Sequence, residues 1–243
     1  MRVLITGANS DIAEALARKF AMSEKADMLL ASRDMELLEK KGRDLKLRYG
    51  VNVTPLYLDI TDYGSHASFY NSLDPKPDVV VAAFGYLGDQ LKAQSDFSEA
   101  RAIIEVNYAG AVSLLEIVAA DFEKRGAGSI IGVGSVAGER GRQSNYIYGS
   151  AKAGFNAYMA GLRNRLTKSG AHALTVLPGF VRTKMTDGLP LPEKLIGEPE
   201  QVANDIYRAF KCKRNVVYTL WFWRWIMMVI KSIPEFIFKR MSL

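Results

Sequence analysis

A tyrosine and a lysine four residues apart, Tyr148 and Lys152, have the spacing that most directly suggests chemistry. At positions i and i+4 the two side chains share one face of a helix. A free tyrosine has a pKa near ~10 and is a poor acid or base at neutral pH. A neighbouring ammonium, a cationic cofactor ring and a dry pocket would together lower that pKa. The pair therefore predicts a general acid or base built from tyrosine.

Two polar residues upstream make this pattern more specific. Ser135 ends a predicted strand 13 residues before Tyr148, and Asn107 lies inside the preceding helical pattern. A Tyr-x-x-x-Lys spacing is frequent by chance, but these residues occur together with a glycine turn near the N-terminus. The combination indicates a catalytic site assembled around a bound nucleotide.

The glycine turn covers residues 6–13, Thr-Gly-Ala-Asn-Ser-Asp-Ile-Ala, between the first predicted strand and helix. Such a turn directs backbone N–H groups and a helix N-terminus at a pyrophosphate. Only Gly7 remains of the usual three glycines, although Ala13 still permits close helix packing. Asp11 puts a carboxylate where phosphate should approach. We expect its side chain to turn inward and cap the helix.

The residues after the second predicted strand select the kind of nucleotide. NAD-binding sheets place an acid there, whereas Ser32 and Arg33 suit a 2′-phosphate, which favours NADPH over NADH. Asp34, next in sequence, keeps the NADH alternative open, as does the possibility that Arg33 only faces solvent. Asp59, after the third strand, either binds the adenine amino group or caps the next helix.

Strand and helix patterns alternate along the chain. Buried strands are predicted over 3–6, 28–31, 51–57, 79–83, 129–133 and 174–177, and helices over 11–22, 35–49, 63–73, 97–125 and 148–169. This alternation predicts a doubly wound parallel sheet of the Rossmann type, in the α/β class. Residues 184–199 contain three prolines and no clear period, which predicts a long irregular loop.

Composition excludes several classes of protein. The chain has 243 residues, 49% hydrophobic and 24% charged, which predicts one large globular domain. One cysteine and two histidines argue against a disulfide framework and a metal centre. No uncharged apolar stretch of ~18 residues is present, so no spanning helix is predicted. The N-terminus leads directly into a strand, so we expect no signal peptide and a cytoplasmic protein.

The net charge of +6 is concentrated at the C-terminus. Residues 211–243 contain seven basic side chains and one acidic side chain, whereas residues 1–210 carry equal numbers of each. The neutral body argues against a nucleic-acid-binding surface. We therefore predict a nucleotide-binding domain over 1–219 and a separate aromatic and basic tail over 220–243.

The tail contains all three tryptophans within five residues, Trp221, Trp223 and Trp225. Arg224 and Lys231 are seven residues apart and therefore share a helical face. An aromatic, cationic segment too short to span a bilayer is typical of an anchor at a membrane surface, here over 221–243. The alternative is an oligomer contact or a lid over the active site.

With these motifs, residues 1 to about 219 resemble the short-chain dehydrogenases/reductases. The resemblance implies a seven-stranded parallel sheet, a nicotinamide cofactor and four catalytic residues, Asn107, Ser135, Tyr148 and Lys152. It also implies that the segment 178–183, Pro-Gly-Phe-Val-Arg-Thr, closes over the nicotinamide. One departure is Ala-Ala-Phe-Gly over 82–85, where the family usually has Asn-Asn-Ala-Gly. We expect that loss to weaken a structural hydrogen-bond network without removing chemistry.

The resemblance assigns a role to each catalytic residue. Tyr148 gives a proton to the developing alkoxide, and Ser135 donates a hydrogen bond to the same oxygen. Lys152 lowers the tyrosine pKa and holds the ribose hydroxyls, while Asn107 holds a water that reloads protons through Lys152. The predicted cofactor-binding residues are Gly7, Asn9, Ser10, Asp11, Ile12, Ser32, Arg33, Asp59, Ile60, Ala83, Phe84, Gly85, Tyr148, Lys152, Pro178, Gly179, Val181 and Thr183.

Stretches at 83–89, 106–108, 138–140, 181–185 and 228–240 resemble one subgroup of these reductases. That subgroup reduces a 2-keto sugar carried on a polyprenyl phosphate, which a flavin oxidase partner supplies. The similarity implies a lipid-linked keto-sugar substrate, a location at the inner face of the cell membrane, and a homodimer or homotetramer. Four basic residues near the predicted pocket, Arg140, Arg142, Arg182 and Lys184, either meet a phosphate or are solvated.

Two other functions remain open from the sequence. One is a ketoreductase of another class, acting on a 3-ketoacyl group or a lipid ketone, in which the apolar tail covers an acyl chain. The other is a noncatalytic, nucleotide-dependent scaffold at the membrane. The second predicts that loss of the Tyr148 hydroxyl leaves biological function intact.

Overall fold

The computed structural model describes residues 1–241 and has a central sheet of seven parallel strands. Their order is β3-β2-β1-β4-β5-β6-β9. The strands are β1 Arg2–Thr6, β2 Asp27–Ser32, β3 Val53–Tyr57, β4 Val79–Ala82, β5 Ser129–Val133, β6 His172–Pro178 and β9 Val216–Thr219. The order reverses between β1 and β4, so the connections that follow these two strands lead to opposite faces of the sheet and leave a crevice at the carboxyl ends. The predicted Rossmann-type fold is confirmed.

Helices cover both faces of this sheet. One layer contains α1 Asp11–Glu24, α2 Met35–Tyr49 and α8 Pro199–Lys211, and the other contains α3 His66–Asn71, α6 Gly110–Arg125 and α7 Tyr146–Thr167. Along β1, Val3 and Ile5 join the first core while Leu4 joins the second, because successive strand side chains point to opposite faces. Helix α8 is absent from the elements predicted by pattern alone.

The helix predicted over 97–125 is divided into three pieces. They are α5 Phe97–Ile104, a π-helical turn Glu105–Ala109 and α6. The run is long and apolar enough to cross a membrane by length and composition. In the structure Leu114, Leu115 and Phe122 are fully buried in the core beside the sheet. Packing within the domain therefore accounts for its apolar character.

The region predicted as a loop over 184–199 contains some regular structure. Two short strands, β7 Phe180–Val181 before this region and β8 Ile196–Gly197 within it, pair in parallel, and a 3₁₀ turn covers Glu193–Leu195.

A further short helix, α4 Gln90–Ser95, precedes α5. It is capped by the Asp89 carboxylate, which accepts the N–H groups of Leu91 and Lys92.

The C-terminal segment packs on the domain. It forms α9 Trp223–Ser232 and α10 Glu235–Phe238. Trp223 and Met227 are buried against Val136 and Leu177, next to the end of the sheet. Part of the predicted tail is therefore an integral piece of the core, and its last two positions, 242–243, lie outside the described residues.

Candidate active site

Three of the four predicted catalytic residues lie together in one cleft of about 400 Å³ at the carboxyl ends of the strands. Ser135 lies two residues after the end of β5, and Tyr148 and Lys152 lie on the first turns of α7. The Ser135 hydroxyl hydrogen-bonds to the Tyr148 oxygen. The Lys152 ammonium, fully inside the protein, donates to the Val133 carbonyl at 3.1 Å. We refer to this part of the cleft as its catalytic end.

The pKa values of Tyr148 and Lys152 are both shifted, and the shift of Tyr148 is opposite to the predicted one. Burial raises the pKa of Tyr148 to about 12, and the hydrogen bond with Ser135 opposes this shift only partly. Burial also lowers the pKa of Lys152 to about 8. The predicted effect of a dry pocket was wrong in sign, because removing water disfavours the charged phenolate. The protein thus keeps the phenol protonated, which is the form that donates a proton.

Asn107 lies in the π-helical turn and does not line the cleft directly. Its amide nitrogen donates to the carbonyls of Tyr86 at 2.6 Å and Ile103 at 2.8 Å, and its oxygen accepts from the Tyr86 N–H at 3.3 Å. A Cβ added to Gly85 would lie 3.3 Å from the Asn107 oxygen and 3.8 Å from the Lys152 nitrogen. Asn107 and Lys152 therefore border the same small space, and the water relay stays a prediction.

The segment after β4 is held by side chains that the sequence analysis missed. The buried Glu99 carboxylate accepts from the Tyr86 hydroxyl at 2.6 Å and from the Asp89 N–H at 3.1 Å. Together with Asn107, this carboxylate fixes both the backbone and the side chain of Tyr86. The available signal was the acid Glu99 among the apolar residues of α5.

The other end of the cleft, which we term the nucleotide end, is built from the glycine turn and the residues after β2. Gly7 has a φ of +69°, and a Cβ there would lie 2.6 Å from the Phe84 nitrogen, so only glycine fits. Ser10 is the N-cap of α1 and accepts the Ala13 N–H at 3.3 Å. The helix N-terminus thereby faces the cleft, as a phosphate site requires.

Asp11 does not cap its own helix as expected, because Ser10 takes that position. Its carboxylate accepts the backbone N–H of Lys184 at 2.8 Å, across 173 residues of sequence. The acid therefore joins the glycine turn to the loop after β7. This long-range bond explains why the carboxylate is turned away from the helix N–H groups.

The residues after β2 favour a phosphate over a ribose hydroxyl. Asp34, which kept the NADH alternative open, is the N-cap of α2 and accepts the Leu37 N–H at 3.0 Å. The Asn9 amide donates to the Ser32 hydroxyl at 3.0 Å and to the Asp34 carbonyl, which fixes this corner. Arg33 lines the cleft and makes no ion pair within residues 1–241. A cationic side chain and a hydroxyl at this position fit a 2′-phosphate.

Asp59 is the predicted cofactor-binding residue that the structure does not bring to the cleft. One carboxylate oxygen accepts from the N–H and hydroxyl of Thr61 at 2.9 and 2.7 Å, so it acts as a cap. Its neighbours Leu58 and Ile60 line the cleft instead. Alternation along an extended segment places residues 58 and 60 on one side and residue 59 on the other.

The remaining predicted residues line this one cleft. They are Gly7, Asn9, Ser10, Asp11, Ile12, Ser32, Arg33, Ile60, Ala83, Phe84, Gly85, Tyr148, Lys152, Pro178, Gly179, Val181 and Thr183. The cleft also includes Leu58, Val106, Val133, Gly134, Lys184, Met185 and Thr186, which were not predicted as cofactor contacts. The structure establishes that the predicted residues lie in one cleft. Their roles in cofactor binding stay predictions. The cradle at Gly7 and the free Arg33 fit an NADP-type dinucleotide.

Three of the four basic residues expected near the pocket make their contacts outside the cleft. Arg140 donates to the Ile233 carbonyl and the Glu235 carboxylate, and Arg182 pairs with Glu193 and Glu198 at 2.8 and 2.9 Å. Arg142 is buried, and its guanidinium contacts the Met227 sulfur. Of these four residues only Lys184 lines the cleft, so it alone is placed there for the phosphate alternative, and the buried Arg142 is not solvated.

Comparison with known proteins agrees with this geometry. The model of the short chain dehydrogenase family matches residues 1–194. The chain is 36% identical to an uncharacterized oxidoreductase of Mycobacterium tuberculosis, covering 98% of this chain and 96% of the relative. It is 30% identical to an NADP-dependent 3-hydroxy acid dehydrogenase of Schizosaccharomyces pombe, covering 76% and 73% of the two chains.

A solved structure resembles this fold over nearly the whole length. It is a short-chain dehydrogenase from Sphingobium yanoikuyae in complex with NADPH, with a TM-score of 0.85, 26% identity and 96% coverage of each chain. The chain therefore belongs to the short-chain dehydrogenase/reductase family and is an oxidoreductase of that family.

Proposed function

We propose that this protein is an NADPH-dependent ketoreductase. The observation that carries the proposal is the partly buried Tyr148, hydrogen-bonded to Ser135, in the same cleft as the unpaired Arg33. One end of the cleft thus holds a proton donor, and the other holds a cation suited to the 2′-phosphate of NADPH. The relative that acts as an NADP-dependent dehydrogenase and the NADPH complex of the structural neighbour support this cofactor.

The chain's own residues provide the proton half of the reaction. Bound NADPH supplies a hydride to the carbonyl carbon. Tyr148 holds a proton at its phenol oxygen at neutral pH and donates it to the carbonyl oxygen, so that the ketone becomes a secondary alcohol. Ser135 donates a hydrogen bond to the same oxygen as negative charge develops. Lys152 holds a buried ammonium 5.8 Å from the centre of the Tyr148 ring, where its positive charge stabilises the phenolate left by proton transfer.

We propose a 2-keto sugar linked to a polyprenyl phosphate as the substrate. The motifs of the cleft and the C-terminal segment resemble those of decaprenylphospho-β-D-erythro-pentofuranosid-2-ulose 2-reductase. In such a system a flavin oxidase supplies the keto sugar, and this enzyme would reduce it. Assembly as a homodimer or homotetramer and a location at the inner face of the cell membrane belong to the same proposal.

A second candidate is the reduction of a 3-keto acid or 3-ketoacyl group. It is favoured by the NADP-dependent 3-hydroxy acid dehydrogenase relative, whose similarity covers 76% of this chain. The apolar side of the cleft, with Met185 and Val106, would also accept an acyl chain. The two candidates share cofactor and chemistry and differ only in the molecule that carries the ketone.

Oxidation of NADPH in the presence of three ketones tests the proposal. The ketones are a polyprenyl-phosphate-linked 2-keto sugar, the same sugar without lipid, and a 3-ketoacyl thioester. We expect turnover with the first, and a 10²- to 10⁴-fold loss in Tyr148→Phe with NADPH binding retained. Turnover of the thioester alone would favour the second candidate. Biological function that survives Tyr148→Phe would indicate a noncatalytic scaffold.

The cofactor assignment has its own test. Arg33→Ala should weaken NADPH binding roughly 10- to 100-fold, because a charged hydrogen bond contributes about 1.5–3 kcal/mol. NADH binding serves as the matched control, because NADH lacks the 2′-phosphate, and it should change little. Equal losses for the two nucleotides would contradict the assignment.

A further inference from the structure

The C-terminal segment has an unusual outward face. Trp221 precedes α9, and Trp225, Met228 and Val229 follow at helical spacing, so that the four side chains lie on one side. Trp221 is 72% exposed, and the other three are each more than half exposed. Phe236 and Ile237 of α10 are also exposed. We refer to these six residues as the exposed apolar face.

The opposite side of α9 is also apolar but is buried. Trp223 and Met227 lie in the core, and Ile226 and Ile230 pack beside them. The buried side of α9 accounts for the packing of this helix on the domain. It does not account for the exposed apolar face. Large apolar side chains exposed together on one side of a helix of a folded protein indicate a binding site.

The charges around the exposed apolar face are positive. Arg224, Lys239 and Arg240 are exposed and form no ion pair within residues 1–241. Glu235, the single acid between positions 220 and 241, is neutralised by Arg140 at 2.7 Å. Lys231 is the exception among the cations, because it pairs with Glu139 at 2.6 Å. The available charge at this surface is therefore entirely cationic.

We propose that the exposed apolar face binds the surface of an anionic lipid bilayer. Tryptophan is stable at headgroup depth, and each nearby Lys or Arg is attracted to anionic lipid. Two short helices lying along the surface would bury the apolar side chains at the headgroup boundary. A second copy is a poorer occupant, because a two-fold contact would bring two sets of free cations together.

The same segment reaches the active site from its inner side. Trp223 covers Gly179 so closely that a Cβ on this glycine would fall within the indole ring. Its ring also contacts Phe180 edge-on, with 5.0 Å between the ring centroids. A bilayer bound to the outer side would therefore lie next to the catalytic end of the cleft. The inference that the membrane presents the substrate to this end of the cleft rests on the proposed lipid-linked substrate. Membrane binding itself does not depend on that proposal.

Cosedimentation with vesicles tests the apolar part of the proposal. The full-length protein is mixed with vesicles of equal parts phosphatidylglycerol and phosphatidylcholine, without substrate. The variant Trp221→Ser/Trp225→Ser should bind at least tenfold more weakly. The matched control is Leu91→Ser/Phe97→Ser, because these side chains are similarly exposed on α4 and α5. Truncation is avoided, since it would remove the buried Trp223 and Met227.

A second set of variants tests the charges. Substituting Arg224, Lys239 and Arg240 by Gln should weaken binding about 100-fold, at roughly 1 kcal/mol for each residue. The control replaces three exposed lysines elsewhere, Lys40, Lys124 and Lys168, and keeps the same net charge change. Binding by the tail variants should also become less sensitive to salt.

The outcomes separate this inference from the proposed function. Weaker vesicle binding in both tail variants, with NADPH affinity unchanged, supports the membrane surface whatever the ketone is. Equal losses in tail and control variants, or no binding by the wild type, would overturn it. A dimer that dissociates in Trp221→Ser/Trp225→Ser without vesicle binding would assign the face to a second copy and also overturn it.

Discussion

The two ends of the cleft are held in place by different kinds of contact. At the nucleotide end, the Asn9 amide binds Ser32 and Asp34 within a single strand–helix–strand unit, and Gly7 packs against Phe84 just after the neighbouring strand β4. At the catalytic end, Gly179 is covered by Trp223 of α9, and the following loop is held by Asp11 from the start of the chain. Local chain geometry therefore largely shapes one end, and distant segments shape the other.

This difference predicts which substitutions will affect the catalytic end of the cleft. A change in the C-terminal segment leaves the nucleotide end intact but removes support from the segment that follows β6. Arg140 reinforces the same connection, since it binds α10 and the end of α9 while it lies shortly after Ser135. The C-terminal segment is thus a supporting element of the catalytic end.

Among substitutions that test this comparison of the two ends of the cleft, Trp223→Ala should have the largest effect. Removal of a fully buried tryptophan should lower the free energy of unfolding by about 3–5 kcal/mol. Binding of adenosine 2′,5′-bisphosphate, which occupies only the nucleotide end, should not change. Urea denaturation and titration measure the two quantities, and Trp223→Phe provides a milder variant.

The control for that change is Trp225→Ala, because this tryptophan is 53% exposed on the same helix. We expect its free energy of unfolding to stay within ~0.5 kcal/mol of the wild type. Similar losses in both variants would show that α9 contributes through both faces, and the comparison would fail.

A second prediction concerns the buried ammonium of the catalytic end. The pKa of Lys152 is about 8 in the folded protein and 10.5 when exposed, so the unfolded state binds more protons between these values. Stability should therefore rise as pH increases from about 8 to 10. Lys152→Met should lack this rise and should be more stable at pH 7 by on the order of ~3 kcal/mol, while losing turnover.

Urea denaturation at several pH values measures this effect. Lys46→Met, which changes an exposed lysine in the last turn of α2, is the matched control and should leave the pH dependence unchanged. Above pH 10 the raised pKa of Tyr148 acts in the opposite direction, because the folded state then retains more protons. A Lys152→Met variant no more stable than the wild type at pH 7 would contradict the prediction.

The smallest effect is expected where the two ends are joined. Asp11→Ala removes the acceptor for the Lys184 N–H, and hydrogen exchange of that amide should accelerate about fivefold, for a loss of ~1 kcal/mol. Asp11→Asn keeps an acceptor oxygen and should restore part of the protection. Unchanged exchange in Asp11→Ala would show that the loop is held by other contacts.

Much of the fold and of the site followed from local patterns. Six of the seven strands, the glycine turn and the Tyr148–Lys152 pair could be predicted because period, spacing and turn chemistry are properties of short stretches. Strand β9 was expected only through the family resemblance. The roles of Asp11, Asp34 and Asp59 could not be predicted, because each carboxylate has a local capping alternative, and the choice depends on which donors the fold brings near.

The sequence by itself determined the Rossmann architecture, the candidate catalytic residues and the aromatic, basic character of the C-terminal segment. Tertiary structure decided which charges remain free, since Arg140 and Arg182 are paired while Arg33 is not. It also decided that Trp223 faces inward and Trp225 outward, and that burial raises the pKa of Tyr148. Pairing, burial and desolvation depend on groups distant in sequence, and only the folded chain brings those groups together.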